Sequence, residues 1–422
     1  VTSPAPLVRR LGTRDAVVIG LGSMIGAGVF SAFGPAARAA GSGLLIGLAL
    51  AAAVAYCNAV SSAQLAAEYP TSGGTYVYGR ERLGDWWGFL AGWGFVIGKT
   101  ASCAAMALTF ASYALPGSLW SQRLVALAAV VVLTAANLRG ISRTARLARV
   151  LVALSLAALA VVVVAIATGG SAGSPIPDGI SSLWVHGLYG ILQAAGLLFF
   201  AFAGYARIAT LGEEVRDPER TIPRAIPIAL GIAVVVYAIV AVAALAGAGP
   251  EALAASTAPI ATAVKAAGAA WAVPVVRAGA AVASLGALLA LIAGIGRTAL
   301  AMARNRDLPS WLSAVDQRHH VPDHAELAVG AAVAVLVLTT DLRGAIGFSS
   351  FGVLTYYAVA NASAFTQTGE RRRWPRTLNV AGFIGCVVLV VTLPASAVLV
   401  GIGVLLAGLA GRAVLRETTG RL

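Results

Sequence analysis

Two apolar stretches broken by glycine hold most of the chemistry this sequence offers. The first runs Ile19-Gly20-Leu21-Gly22-Ser23-Met24-Ile25-Gly26-Ala27-Gly28-Val29-Phe30, and the second Phe199-Phe200-Ala201-Phe202-Ala203-Gly204-Tyr205-Ala206-Arg207. In lipid every backbone N–H and C=O must find a partner within the protein, so an interrupted helix survives only where it lines a cavity. An unwound stretch leaves the N–H groups of the following half-helix unpaired and its positive dipole end exposed, which suits a carboxylate. Paired interruptions in corresponding positions of two halves point to the midplane binding site of a transporter. Helix packing through small residues, as in Gly22-x-x-x-Gly26, is the competing account of the same glycines.

Two cations stand inside apolar runs. Lys99 lies within Trp93-Gly94-Phe95-Val96-Ile97-Gly98-Lys99-Thr100-Ala101, and Arg207 follows the second interruption. A charge at the centre of a membrane helix costs about 2.5–3.5 kcal/mol on insertion scales, so each is a functional candidate by default. Lys99 is read as a proton-exchanging group, with snorkelling or structural pairing as the alternatives. Arg207 is read either as part of coupling or as a partner for carbonyls freed at the break. Three apparent motifs lead nowhere. Gly94 to Thr100 has three residues between its glycines where a phosphate-binding loop needs four, and no strand precedes it. Gly20-x-Gly22-x-x-x-Gly26 is one residue too long for a dinucleotide fingerprint. Asp316, His319, His320, Asp323 and His324 fall in no metal-binding spacing and read as solvated loop residues.

The elements that must position these groups are membrane helices. Hydrophobic residues make up 59% of the chain and charged ones 11%, with a mean hydropathy of +0.85. A globular domain carries about a quarter charged residues. An all-α integral membrane protein is expected, with twelve spans near 16–38, 44–69, 86–115, 122–138, 147–168, 186–211, 225–248, 270–302, 326–341, 344–367, 378–394 and 396–412. The net charge of +13 does not call for nucleic acid, because the arginines cluster in loops on one side, such as Arg139, Arg143 and Arg146 or Arg371, Arg372 and Arg373. The other side has only Arg38, Arg123, Lys265, Arg277 and Arg343. That asymmetry predicts both ends of the chain in the cytoplasm of a bacterial cell, and a multi-pass protein of its inner membrane. Arg9, Arg10 and Arg14 precede a long span with no A-x-A-like site, so no cleavable signal is expected. Cys57, Cys103 and Cys386 read as small buried hydrophobes. Two five-span units of opposite orientation, about 16–168 and about 186–367, would each begin with a broken helix, as an inverted repeat requires. The last two spans, about 378–412, would be accessory. Residues 249–269 are expected to hold a short outer surface helix.

Four stretches carry a likeness to a known family. They are Gly22-Ser23-Met24-Ile25-Gly26-Ala27-Gly28-Val29-Phe30; Tyr69-Pro70-Thr71-Ser72-Gly73-Gly74-Thr75-Tyr76; Phe200-Ala201-Phe202-Ala203-Gly204-Tyr205 with Glu213-Glu214-Val215-Arg216-Asp217-Pro218 and Ile222-Pro223-Arg224-Ala225; and Arg297 to Arg304 followed by Leu308-Pro309. In this order they resemble the signatures of the amino acid–polyamine–organocation superfamily of secondary transporters, which has the leucine-transporter fold. The resemblance implies that the N–H groups of Ala27 and Gly28, beside Gly26, hold a substrate carboxylate. It implies that carbonyls of Met24, Phe200 and Ala203 take the substrate ammonium, and that Phe200 acts as a lid. Ile25, Phe202 and Gly204 belong to the same breaks, and Leu291 falls where relatives contribute an apolar pocket side chain. Packing or lipid-facing aromatics are the alternative for Phe200 and Phe202. Some proton-coupled relatives carry a lysine in span 5. Aligning Arg149 to Ser155 with that stretch places Ser155 there, so Lys99, Ser155 and Arg207 are the coupling candidates.

No acid lies between the breaks; Glu68, Glu213 and Glu214 sit at cytoplasmic ends, where Arg297 is expected to pair with one of the last two. A dicationic substrate would need one, so a neutral α-amino acid is expected, with an anionic one left open. Uptake driven by H+ is the expected mechanism, with Na+ as the alternative ion. No cofactor, metal or enzymatic activity is expected, the partners being substrate and lipid bilayer, and the assembly a monomer or homodimer. An obligate exchanger, an amine or polyamine carrier, and a membrane amino acid sensor are the alternative readings. Replacing Ala27 by Leu is expected to abolish amino acid binding in detergent; unchanged affinity would remove the carboxylate assignment.

Overall fold

Long uncharged runs have one way to satisfy their backbone in lipid without closing a barrel, which is to form helices. The computed structural model describes residues 11–70, 73–140, 145–170, 179–210, 214–369 and 372–418. The described residues form seventeen α-helices and no strand. Eight stretches are long and apolar enough to cross a membrane, and two further apolar helices, Gly187–Phe202 and Arg376–Thr392, are shorter.

The first predicted span is α1 (Thr13–Met24), α2 (Ala27–Ser31) and α3 (Phe33–Ala40), with the chain leaving helical geometry only at Ile25 and Gly26. Ala32 joins α2 to α3 with helical dihedrals, so the second half runs on almost straight. Next come α4 (Leu44–Glu68), the short α5 (Thr75–Leu83), α6 (Asp85–Ala114), α7 (Leu119–Leu138) and α8 (Ala145–Gly169). The second half opens with α9 (Gly187–Phe202) and a one-turn α10 (Ala206–Ala209), then α11 (Pro218–Ala255). Gly249, at φ 74°, kinks α11 near its C-terminal end. The short α12 (Pro259–Ala266) follows, within the stretch where a short helix is predicted. The chain closes with α13 (Val273–Arg304), α14 (Asp323–Thr339), α15 (Leu342–Phe365), α16 (Arg376–Thr392) and α17 (Ala395–Thr418). Of the residues singled out in the sequence, Arg9, Arg10, Thr71, Ser72, Arg143, Glu213 and Arg371 lie outside the described residues.

α6 is the central element: 89% of its most apolar window is buried, against 17% for α7. It packs chiefly against α15 and α13. The α6–α15 crossing is backbone on backbone. A Cβ on Gly352 would fall 2.6 Å from the Gly94 carbonyl oxygen and 2.7 Å from Gly98 Cα. The glycines that imitate a phosphate loop are therefore helix-crossing residues, and they fix the depth of Lys99, the next residue along.

Two polar clusters tie the last helices to this centre. Buried Asp307, just beyond α13, accepts hydrogen bonds from Tyr76 Oη (2.7 Å) and Arg80 Nη1 (2.9 Å) on α5 and from Arg412 Nε (2.8 Å) on α17. The Arg412 guanidinium lies 4.4 Å from the Trp86 ring centroid and 4.9 Å from that of Phe89, both on α6. Farther in, Asn361 on α15 donates to Asn58 Oδ1 on α4 (2.6 Å) and accepts from Ser61 (2.7 Å). Asn379 on α16 donates to the same Ser61 hydroxyl (2.7 Å). The two helices expected to be accessory are thus hydrogen-bonded into the core. Removing one partner of a fully buried ion pair costs about 3–5 kcal/mol. Asp307→Ala is expected to lower the thermal midpoint of the detergent-purified protein markedly, and an unchanged midpoint would show that the pair does not hold α17 in place.

Candidate functional site

The first break forms where the α1 carbonyls meet a glycine that can turn away. Ile25 (φ −78°, ψ 60°) and Gly26 (φ −110°, ψ −141°) leave the helix, and Ala27 starts α2 with no side-chain cap on its N–H groups. The Gly26 N–H folds back onto the Met24 carbonyl at 2.8 Å. In the second break Ala203, Gly204 and Tyr205 separate α9 from α10.

The two breaks touch. A Cβ on Gly204 would stand 2.2 Å from the Ser23 carbonyl oxygen and 2.6 Å from the Met24 nitrogen. One turn farther, a Cβ on Gly28 would stand 2.6 Å from Ala201 Cα. Only glycine allows main chain to lie against main chain at these two places. All four half-helices therefore meet around one point, with helix ends rather than side chains facing it.

Side chains from other helices complete the crossing. Tyr237 on α11 puts its hydroxyl 2.6 Å from the Met24 carbonyl and 3.0 Å from the Ala201 carbonyl, and its ring packs on Phe202 with centroids 5.0 Å apart. One phenolic proton thus faces two carbonyls, one at each break. Lys99 Nζ on α6 donates to the Ala203 carbonyl at 2.9 Å, and Tyr357 on α15 donates to the same oxygen at 3.5 Å. Tyr205, within the break, stacks on Tyr357 at 5.0 Å. Sequence reasoning missed Tyr237 and Tyr357; an aromatic in a membrane helix has no local signal that distinguishes a phenol donating inward from one facing lipid.

The other predicted residues are spread around this point. Met24, Ile25, Ala27, Gly28, Phe200, Phe202 and Ala203 are buried, whereas Gly204 and Leu291 are half-buried. Ala287 of α13 faces Gly26, whose added Cβ would meet Ala287 Cβ at 3.1 Å. Ser155 is buried on α8 and donates to the Leu151 carbonyl of its own helix at 2.9 Å. Arg207, half-buried on α10, feels the charges of Arg297 and Glu214. Glu214 in turn pairs with Leu11: its carbonyl accepts from Leu11 N–H at 3.1 Å, and the Arg216 N–H donates to Leu11 O at 2.9 Å. In the loop between α13 and α14, Asp316 accepts from the His319 backbone N–H at 2.9 Å and meets its ring at 2.8 Å, which holds the Asp316 carboxyl below its ordinary range. Among the described residues no three His, Cys, Asp or Glu side chains are grouped to hold a metal.

Helices of this length and apolarity, packed around two touching interruptions, define a multi-pass membrane protein. Residues 11–414 match the family described as amino acid permease, and the chain belongs to that family: it is a transporter and not an enzyme. It is 62% identical to an uncharacterized transporter of Mycobacterium tuberculosis, over 99% of this chain and 94% of the relative. It is 26% identical to the branched-chain amino acid permease of Bacillus subtilis, over 89% of this chain and 84% of the relative. It is 28% identical to cationic amino acid transporter 7, chloroplastic, of Arabidopsis thaliana, over 87% of this chain and 67% of the relative. Gly204→Ala is expected to reduce transport at least tenfold while leaving a folded, monodisperse protein, since the new methyl would push the two breaks apart. Wild-type transport rates in that variant would mean the contact is not needed.

Proposed function

We propose that this permease carries a neutral α-amino acid across the bacterial inner membrane by alternating access, with protons as the coupling ion. The observation that carries the reading is the direct contact of the two breaks at Gly204 and the Ser23–Met24 peptide. A zwitterion has one anionic and one cationic group a few ångströms apart. The crossing presents the opening turn of α2 and the closing turn of α9 side by side, so the N–H groups of Ala27 and Gly28 suit the carboxylate and the α9 carbonyl end suits the ammonium. Phe200 serves as the lid, and Ile25, Phe202 and Leu291 supply apolar surface. Gly26 and Gly204 are the hinges about which the half-helices close.

The arrangement is that of the leucine-transporter fold, with twelve spans, an inverted repeat over about 16–168 and about 186–367, and two further helices over about 378–412. Helices at each of the twelve predicted positions support that reading. Both ends of the chain face the cytoplasm in this scheme, as the arginine loops require. Neutral substrates are favoured because the cation at the crossing, Lys99, repels a second positive charge. Among the described residues Cys103 is the only ionisable group resolved as acting on that lysine, and no carboxylate joins it. Of the coupling candidates, Lys99 touches the break itself, whereas the Ser155 hydroxyl is engaged within α8.

A thermal-shift screen of the purified protein against amino acids, polyamines and purines tests this. Stabilisation by neutral α-amino acids that is lost on amidation of the carboxylate is the expected result. Stabilisation only by polyamines, or only by compounds lacking a carboxylate, would overturn the substrate assignment while leaving the fold.

A further inference from the structure

We propose that the Lys99 ammonium is a tethered stand-in for the substrate's own ammonium, so that protonation of Lys99 and occupation of the site by an amino acid exclude one another. The inference rests on the amino acid reading above and adds the sense of coupling, which is exchange of substrate against a proton.

The argument begins with the end of α9. The last carbonyls of a helix have no partner within it and carry the negative end of its dipole. Ala203 is the first residue past α9, and its carbonyl receives Lys99 Nζ at 2.9 Å. A cation is therefore already seated at the negative half-helix end, where an incoming ammonium would be drawn. Lys99 reaches it from α6, at a depth set by the glycine crossing with α15, and the side chain is buried.

Among the described residues no carboxylate acts on Lys99. Cys103 on the same helix, Tyr205 in the break, and Tyr356 and Tyr357 on α15 are the ionisable groups around the amine. The charged groups on the other elements against α6 are not among those acting on Lys99. Arg80 and Arg412 bind Asp307, Arg123 on α7 donates to the Thr340 carbonyl, and the buried Glu326 on α14 feels the charges of Arg297 and Asp323. The charged amine is thus held by a dipole end and carbonyl oxygen alone. A buried cation that loses its compensating partner is strongly disfavoured.

A substrate anchored at the α2 end by its carboxylate brings a second ammonium to the same carbonyl. Two cations there repel in a water-poor environment, and only one of the two is also held by an anchored carboxylate. Lys99 is the one that yields. Its Nζ–H bond gives a proton to water on the open side, and the neutral amine that remains can accept a hydrogen bond from the substrate's ammonium. The loaded carrier crosses with Lys99 neutral, and the empty carrier returns with Lys99 charged. Each cycle moves one amino acid one way and one proton the other, the reverse of the proton-driven uptake expected from the sequence.

Calorimetric titration in buffers of differing ionisation enthalpy counts the protons exchanged on binding. L-leucine, L-alanine and L-glutamine are the probes, at slightly acidic pH. The wild-type protein is expected to release roughly one proton per amino acid bound, and its affinity to rise by up to about tenfold per pH unit while Lys99 remains charged. The deaminated analogue of leucine, 4-methylpentanoate, brings no ammonium and is expected to bind with no proton released. Lys99→Met is expected to bind leucine with no proton exchange and no pH dependence. Proton uptake on binding, or binding with no proton exchanged by the wild type, overturns the exclusion. So does proton release driven equally by the deaminated acid. If none of the three amino acids binds the wild type, the neutral amino acid reading itself has failed. The wild-type titrations decide the matter even if the Lys99 variant does not fold.

Discussion

Everything at the centre of this protein depends on one close approach, that of Gly204 to the Ser23–Met24 peptide. Two helices interrupted inside a membrane each leave main-chain groups without partners, and lipid supplies none. Setting the interruptions against one another gathers these groups into a single polar point, where Tyr237, Lys99 and Tyr357 can reach them. A methyl group on Gly204 has no room at that contact. The glycine is therefore what lets the two stops meet.

The surrounding helices act as a frame that holds this point at a fixed depth. α6 carries Lys99 and is locked to α15 through Gly94, Gly98 and Gly352. α15 carries Tyr357 and, one turn along, Asn361, which binds Asn58 on α4 and the Tyr357 carbonyl. α16 enters the same chain of hydrogen bonds through Asn379 and Ser61. At the end of α13, Asp307 draws α5 and α17 together. Polar side chains thus do in the interior what the hydrophobic effect does for a soluble core, because packing in lipid gains nothing from excluding water. Of the final two helices, α16 takes part in the first of these clusters and α17 in the second.

The charges divide in the same way. Among the described residues the buried arginine, Arg412, is paired with Asp307 and stacked on Trp86 and Phe89. Lys99 differs in kind. Its partner is a neutral carbonyl at a helix end. Conformational coupling needs a contact of this sort, strong enough to order the empty site and weak enough to surrender it.

Much of this was legible in the residues alone. Apolar run length, the arginine loops and the two glycine interruptions are local properties, so the helical membrane class and the breaks at Gly26 and Gly204 could be read directly. The short helix within 249–269 and the burial of Lys99 followed from the same kind of local pattern. What sequence could not supply was the set of partners. Tyr237 meets Met24 across 213 positions, and Lys99 meets Ala203 across 104. A side chain's type shows that it can donate a hydrogen bond, but which carbonyl receives it depends on how helices cross. Those crossings are decided by summed packing over the whole bundle. The sequence by itself determined that two helices would break in the membrane; only the tertiary structure decided that they break against each other, because that contact depends on where distant helices come to lie.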